Sequence, residues 1–147
     1  MKIASSLDGK SHIESEERTI ITSKASRYDV QILRASCDAI LTGGNTLRND
    51  NPRMNARVNF PTNQPKKILL TSKDCDKELN FFKDNDVQIY KNKDLAQIIK
   101  SFKDQDFCSI LIEAGPKLAN SFLELGLVDE IISYTSNNEL GDKAVSW

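Results

Sequence analysis

Two glycine-containing junctions are the clearest candidates for a ligand site. Gly43-Gly44 follows the apolar run 39–42, and Gly115-Pro116 follows the apolar run 109–112, so each stands where a strand would pass into a helix. A helix N-terminus offers unpaired backbone N–H groups and a partial positive charge, which suit phosphate, and glycine lets a ligand approach the backbone. Neither junction has the GxGxxG or GxxxxGK[ST] spacing, which disfavours Rossmann and P-loop sites. The pair predicts a site for a phosphorylated ligand.

Three arginines follow the first junction or lie close before it. Arg34, Arg53 and Arg57 could bind a sugar phosphate as a cluster, because a guanidinium group can donate two hydrogen bonds to one phosphate. A solvated charged surface is the alternative reading. Lys2 and Asp50 are a candidate pair for proton transfer or orientation, provided that the loop folds onto the end of the first strand.

One acid adjoins the second junction. Glu113 directly follows the run 109–112 and is either a ligand-binding acid or a carboxylate stabilised by the next helix. The one histidine, His12, is interpreted as a surface or packing residue.

The composition limits the class of protein. The chain has 147 residues, of which 39% are hydrophobic, and this suits one core in one domain. A net charge of −1 provides no field for nucleic acid or an anionic membrane. Three scattered cysteines without CxxC spacing disfavour disulfides and a zinc site and favour a reducing compartment. The apolar run 1–7 is too short for a signal sequence or a membrane span, so we expect a cytoplasmic protein without a metal.

The elements that must position these residues follow from periodicity. Strands are predicted at 2–7, 39–42, 67–72, 87–90, 109–112 and 129–135, and an irregular loop at 49–64. Helices are predicted from Thr22 or Ser23 to 35, over 93–104, and from Pro116 to a cap at Gly126. Each predicted helix has one face that is expected to be buried. These faces are formed by Ala25, Tyr28, Ile32 and Leu33 in the first helix, by Leu95, Ile98, Ile99 and Phe102 in the second, and by Leu118, Phe122 and Leu125 in the third. The alternation predicts an α/β fold with a mostly parallel central sheet flanked by helices.

An ordered series of motifs extends over nearly the whole chain. It includes KIASSLDGK at 2–10, RYDV at 27–30, LRA at 33–35, DAILTG at 38–43, DNP at 50–52, IEAGPKLA at 112–119 and GLVDE at 126–130. In these segments the sequence resembles the pyrimidine reductases of riboflavin biosynthesis, which form the C-terminal half of the bacterial bifunctional deaminase/reductase.

The resemblance implies a dihydrofolate-reductase-like fold and an NADPH-dependent enzyme. The implied reaction reduces the ribosyl group of 5-amino-6-(5-phosphoribosylamino)uracil to the ribityl form. Lys2 and Asp50 would lie at the reacting centre. The implied substrate contacts are Arg34, Met54, Arg57 and Glu113, and the implied cofactor contacts are Ala4, Thr46, Asp50, Ser72, Gly115, Pro116, Lys117, Leu118, Ala119, Asn120 and Ser121. From this resemblance we expect Gly115-Pro116 to bind the cofactor phosphates. Gly43-Gly44 is then expected to be the hinge that places Thr46 and Asp50 at the nicotinamide end of the site.

The chain also departs from the family pattern. Residues 16–22 read EERTIIT where the family has Gly-Glu-Ser-x-Trp-Ile-Thr, so that Ile20 replaces an aromatic residue and Arg18, which could meet the substrate phosphate, replaces a serine. Asn137-Asn138 replaces Pro-Lys. We expect residues 1–147 to form one reductase domain, either cut short at the C-terminus or completed by a partner, and to pair as a homodimer as family members commonly do. No zinc motif of the deaminase half is present, so only the reductase step is expected here. A non-catalytic nucleotide-binding or partner-pairing relative and another dihydrofolate-reductase-like enzyme are the alternatives.

Overall fold

The computed structural model describes residues 1–13, 19–84, 86–91 and 94–147. In chain order the strands are β1 (Lys2–Ser5), β2 (Lys10–Ile13), β3 (Ala39–Gly43), β4 (Lys66–Leu70), β5 (Val87–Tyr90), β6 (Ile110–Ile112), β7 (Ile132–Thr135) and β8 (Ala144–Ser146). The helices are α1 (Lys24–Ala35), α2 (Gly44–Asp50), α3 (Leu95–Ser101) and α4 (Pro116–Glu124), with short 3-10 turns at Asn80–Phe82 and Lys103–Gln105. The predicted alternation of strands and helices is confirmed.

The central sheet has four parallel strands in the order β5-β4-β3-β6. Successive side chains of a strand point to opposite faces, and the sheet uses both. On one face, Leu41 and Ile68 pack with residues of α3 and α4. On the other, Ile40 and Leu69 pack with Leu47 of α2 and other apolar side chains. All five residues of β3 are buried, and its apolar run therefore reflects burial on both sides of the sheet.

Two smaller strand pairs adjoin this sheet. β1 pairs in parallel with β7, and β2 pairs antiparallel with β8. β2 and β8 were not predicted, because each is short and lacks a continuous apolar run. The turn between β1 and β2 contains Gly9 with a positive φ of 73°, as the Asp8-Gly9 dipeptide predicted.

The local signals for helix ends are largely confirmed. The Ser23 hydroxyl accepts a hydrogen bond from the Ser26 backbone N–H and caps α1. Pro116 stands in the first turn of α4, and Gly126 follows that helix with a φ of 65°. α3 ends at Ser101, earlier than predicted, because the chain tightens there into a 3-10 turn.

Three of the four residues predicted for the inward face of α1 are exposed. Ala25 is exposed, and Tyr28 and Ile32 are 44% and 39% exposed. Leu33, the fourth residue of the predicted face, does pack against the second core face. The Tyr28 hydroxyl donates to Asn59 Oδ1 at 2.9 Å, which keeps the ring at the surface beside the long loop. Two further details differ: Leu125 of the third predicted face is exposed, and the last predicted strand begins at Ile132.

No helix in the described ranges is long and apolar enough to cross a membrane.

Candidate active site

A cleft of about 1590 Å³ lies at the carboxyl ends of the parallel strands. Ligands of open α/β sheets bind at this edge. Many of the residues expected to hold substrate or cofactor line it: Lys2, Ala4, Arg34, Thr46, Asp50, Met54, Ser72, Glu113, Gly115, Pro116, Lys117, Leu118 and Ser121. The structure thus brings the two glycine junctions and most of the predicted side chains into one cleft.

A buried ion cluster forms the floor of this cleft. Glu113, which is 5% exposed, accepts hydrogen bonds from Arg34 Nε at 2.6 Å and from Arg34 Nη2 at 2.9 Å. Lys2 Nζ lies 3.4 Å from Glu113 Oε2. Glu113 sits directly after β6, Lys2 starts β1, and Arg34 comes from the last turn of α1. The cluster therefore joins three separate elements through one carboxylate.

The electrostatics of Glu113 follow from these neighbours. Burial alone would raise its pKa, but the charges of Arg34 and Lys2 and their hydrogen bonds outweigh burial and lower the pKa from 4.5 to about 2. Glu113 is therefore an anion at neutral pH. The alternative of a carboxylate stabilised mainly by the helix dipole is wrong, because the arginine fork and the lysine are its direct partners.

The loop after α2 contains two residues with unusual backbone conformations. Asn51 and Met54 have positive φ values of 39° and 48°. Met54 is buried and lines the cleft, and a non-glycine residue in this region carries backbone strain. The carbonyl of the next residue, Asn55, accepts a hydrogen bond from Arg34 Nη1 at 3.4 Å. This turn therefore connects the loop to the ion cluster.

Close packing at the glycines shapes the wall of the cleft. A Cβ atom on Gly44 would lie 2.5 Å from Thr71 Oγ1, and one on Gly43 would lie 3.0 Å from Leu118 Cδ2. α2 and α4 can approach the strand ends this closely only because both positions lack a side chain. Gly115 caps α4 without a side-chain hydrogen bond, so no side chain occupies the capping position at the N-terminal turn.

The three arginines of the predicted cluster are each held by a neighbouring side chain. Arg34 is engaged with Glu113, whereas Arg53 pairs at the surface with Asp84 at 2.5 Å. The guanidinium of Arg57 contacts Asn55 Oδ1 at 2.7 Å, and Arg57 does not line the cleft. Arg34 and Arg57 thus both contact Asn55, whereas Arg53 is engaged with Asp84, and phosphate binding by these arginines stays a prediction.

Other predicted site residues are placed as follows. Lys2 and Asp50 both line the cleft, but among the described residues the carboxylate within 4 Å of Lys2 is that of Glu113. Ala119 packs in the core and Asn120 is exposed, and neither lines the cleft. Arg18 lies outside the described residues. The roles of these residues in binding stay predictions.

Several cleft residues had not been predicted. His12, Arg48, Lys73 and Trp147 all line the cleft. The indole Nε1 of Trp147 donates to the Ala4 carbonyl at 2.8 Å, which brings the last residue against β1. For His12 the chemical type was a usable signal, whereas the other three depend on contacts distant in sequence. The described ranges contain no group of three His, Cys, Asp or Glu side chains that could hold a metal ion.

Comparison with known proteins agrees with this geometry. Residues 1–146 match the sequence model of the RibD C-terminal domain. This chain belongs to that family. The riboflavin biosynthesis protein RibD of Buchnera aphidicola subsp. Baizongia pistaciae is 31% identical, with 98% of the chain and 49% of that protein covered. RibD of Escherichia coli K12 gives the same identity and coverage. The chain spans about half the length of these RibD relatives.

Solved structures of other proteins share the fold of this chain. Acinetobacter baumannii RibD, form 1, superposes with a TM-score of 0.91 at 30% identity, over 99% of the chain and 47% of that protein. The Saccharomyces riboflavin biosynthesis reductase Rib7 shares the fold alone, with a TM-score of 0.72 at 18% identity, over 99% of the chain and 75% of that protein. This RibD C-terminal domain therefore has the dihydrofolate-reductase-like α/β fold that the resemblance implied.

Proposed function

We propose that the chain is an oxidoreductase of riboflavin biosynthesis that reduces the ribosyl group of 5-amino-6-(5-phosphoribosylamino)uracil to the ribityl form with NADPH. The observation that carries the proposal is the cleft, which brings Lys2, Asp50 and Glu113 to the same strand ends as the N-terminal turn of α4. Membership in a family of riboflavin-biosynthesis reductases implies a nicotinamide cofactor and a small pyrimidine substrate. NADPH and the phosphorylated sugar are the finer parts of the proposal.

The cleft suits a nicotinamide dinucleotide on physical grounds. The backbone N–H groups at the start of α4 and Lys117 in its first turn face the cleft, and together they favour a pyrophosphate. Gly44 also lines the cleft, and the Thr71 side chain packs closely against it. When bound, the nicotinamide would supply the hydride that reduces C1′ of the opened sugar.

The chain's own residues would hold the substrate and move the proton. Lys2 is held next to Glu113, so its ammonium group is fixed at the floor of the cleft, where it can orient a polar substrate group. Asp50 ends α2 and is exposed to the cleft, so we assign it the proton transfer that accompanies hydride addition. Arg34 would act chiefly by holding Glu113, since both of that carboxylate's oxygens accept from its guanidinium.

Turnover of the purified chain tests the proposal. We expect reduced nicotinamide to be consumed only when the deaminated pyrimidine substrate is present, with one ribityl product formed for each cofactor oxidised. The aminated precursor, which precedes deamination, is the matched control and should give no consumption of reduced nicotinamide. A folded sample that binds the dinucleotide yet produces no ribityl product would instead be a non-catalytic relative, and turnover of a pterin in its place would indicate another reductase of this fold.

The assembly and location stay proposals as well. We propose a homodimer without nucleic-acid or membrane partners, in the cytoplasm, where the free thiols of Cys37, Cys75 and Cys108 would persist. Sedimentation at several concentrations would show whether the chain pairs.

A further inference from the structure

His12 is a cleft residue that the proposed reaction does not use. It is the one histidine of the chain, it is half-buried, and it lines the cleft. Its strand, β2, is irregular at this point: Lys10 pairs with Ser146 of β8 and His12 with Val145, so two steps along β2 match one step along β8. Ser11 is therefore the extra residue of a β-bulge, which is a feature that changes the direction of a side chain.

The bulge brings the side chains of Ser11 and His12 together. Neighbouring residues of a regular strand point to opposite faces, so their side chains do not meet. Here both residues line the cleft, and Ser11 Oγ lies 2.9 Å from His12 Nδ1. The imidazole ring is thus held at the cleft wall by the residue that precedes it.

The second contact of Ser11 decides which ring nitrogen of His12 carries the proton. The Ser11 hydroxyl donates to the Val145 carbonyl at 3.0 Å. A hydroxyl has a single proton to donate and a carbonyl can only accept, so the Ser11 oxygen satisfies both contacts when it accepts from Nδ1–H. In the neutral ring Nε2 then carries no proton and is a hydrogen-bond acceptor. In the ranges that the structure describes, no group of the protein donates to this nitrogen.

The turn between β1 and β2 places this acceptor near the proposed reacting centre. The Ser6 backbone N–H donates to the Lys10 carbonyl at 2.9 Å, so the two strands leave the turn antiparallel, and Ala4 and His12 are corresponding residues of the two strands. Lys2 lies two residues further along β1, on the same face as Ala4, and all three line the cleft. His12 therefore stands on the cleft wall that leads to Lys2.

We propose that His12 is a further substrate-binding residue, whose Nε2 accepts a hydrogen bond from an N–H or O–H group of the pyrimidine substrate. This inference rests on the proposed function, since it assumes that this substrate occupies the Lys2 side of the cleft. The uracil ring, its amino group and the sugar hydroxyls all offer such donors. The phosphate offers acceptor oxygens, so it does not match an unprotonated nitrogen. The carboxamide of a nicotinamide also has N–H donors, and the experiment separates these two sources.

Nitrogen NMR of the single histidine tests the inference without requiring turnover. Protonated and unprotonated ring nitrogens resonate at different frequencies, and no assignment among several histidines is needed. In mildly alkaline buffer, where an imidazole is neutral, we expect the native chain to carry the proton on Nδ1 and Ser11→Ala to lose that preference. The ribityl product, which has the same ring donors as the substrate and also sugar hydroxyls, should shift the Nε2 resonance, whereas NADP⁺ alone should leave it unchanged.

Two substitutions of His12 separate the roles of its ring nitrogens. The amide of asparagine reaches the place of Nδ1, and the amide of glutamine reaches the place of Nε2. His12→Asn should raise the KM for the pyrimidine by about three- to tenfold, the range for one hydrogen bond between uncharged groups, and leave kcat little changed, because ground and transition states share the contact. His12→Gln returns an acceptor at the place of Nε2 and should keep the KM within about twofold of the native value. Neither variant should change the KM for NADPH.

The outcomes distinguish this inference from the proposed function. A native ring with its proton on Nε2, equal KM values for His12→Asn and His12→Gln, or an Nε2 resonance that NADP⁺ shifts as far as the product does would each overturn the inference and leave the reductase proposal standing. If the product shifts the Nε2 resonance but the pyrimidine is not reduced, the inference stands and the proposed reaction fails. If the folded native chain neither binds the product nor reduces the substrate, both fail. Should circular dichroism show that His12→Asn does not fold, the resonances of the native ring decide alone.

Discussion

Replacing Glu113 with glutamine tests the ion cluster beneath the cleft. The substitution keeps the shape of the side chain but removes the charge that faces Arg34 and Lys2. Folding lowers the pKa of Glu113 from 4.5 to about 2, and one pKa unit corresponds to about 1.36 kcal/mol. The carboxylate therefore contributes about 3 kcal/mol to the free energy of unfolding at neutral pH. We expect Glu113→Gln to lose about 3–5 kcal/mol, because a buried guanidinium loses its anionic partner.

The pH dependence gives a sharper test than the loss itself. Because folding lowers the pKa, the stabilisation is fully present above pH 4.5 and is lost as the pH falls through about 2. Urea unfolding of the native and Glu113→Gln proteins should therefore show a constant difference near neutrality and a shrinking one below pH 4.5. Glu139→Gln, the same change at an exposed glutamate, is the control and should alter stability by less than about 0.5 kcal/mol.

A double variant keeps the test decisive if Glu113→Gln folds poorly. Arg34→Gln combined with Glu113→Gln removes both buried charges and should be more stable than Glu113→Gln alone, since no unpaired guanidinium remains. A Glu113→Gln protein as stable as the native one, or a difference that does not change on acidification, would refute the reasoning.

Three further predictions concern the walls of the cleft. Gly44→Ala should lower the free energy of unfolding by about 1–3 kcal/mol in urea titrations, because its Cβ atom would lie 2.5 Å from Thr71 Oγ1. The control is Asn49→Ala, at an exposed position of the same helix. Equal stability of the two variants would contradict the packing argument. Asp50→Asn should lower kcat by about a hundredfold or more and change KM only a few-fold, as expected for a residue that transfers a proton. Steady-state kinetics would measure both constants, with Asp142→Asn as the control. Equal effects on kcat and KM would contradict the assigned role. Trp147 is the single tryptophan of the chain and lines the cleft. A bound reduced dinucleotide should therefore quench its fluorescence, and Trp147→Phe should abolish that signal. Unchanged emission at saturation, verified by calorimetry, would place the cofactor elsewhere.

The strand-and-helix order was predictable because its determinants are local. The apolar run 39–42, the Ser23 cap and the Gly115-Pro116 junction each act within a few residues, and all three are confirmed. Only Leu33 of the predicted inward face of α1 packs against the core, because apolar residues lie on more than one side of this helix and packing against the sheet decides which side is buried. β2 and β8 were missed because their pairing joins Ile13 with Ala144, far apart in the chain.

The sequence by itself determined the family, and most of the site residues predicted from it line the cleft, because motifs and strand ends are readable along the chain. The tertiary structure alone decided their partners. Arg34 and Glu113 had each been considered as ligand contacts, and they meet each other across 79 positions of sequence. Arg48 carried no sequence signal, and Gly44 packs against both its guanidinium group and Thr71 only because β3 and β4 are adjacent. Coulomb energies and close contacts depend on distances in space, and those distances are set by how the strands pair.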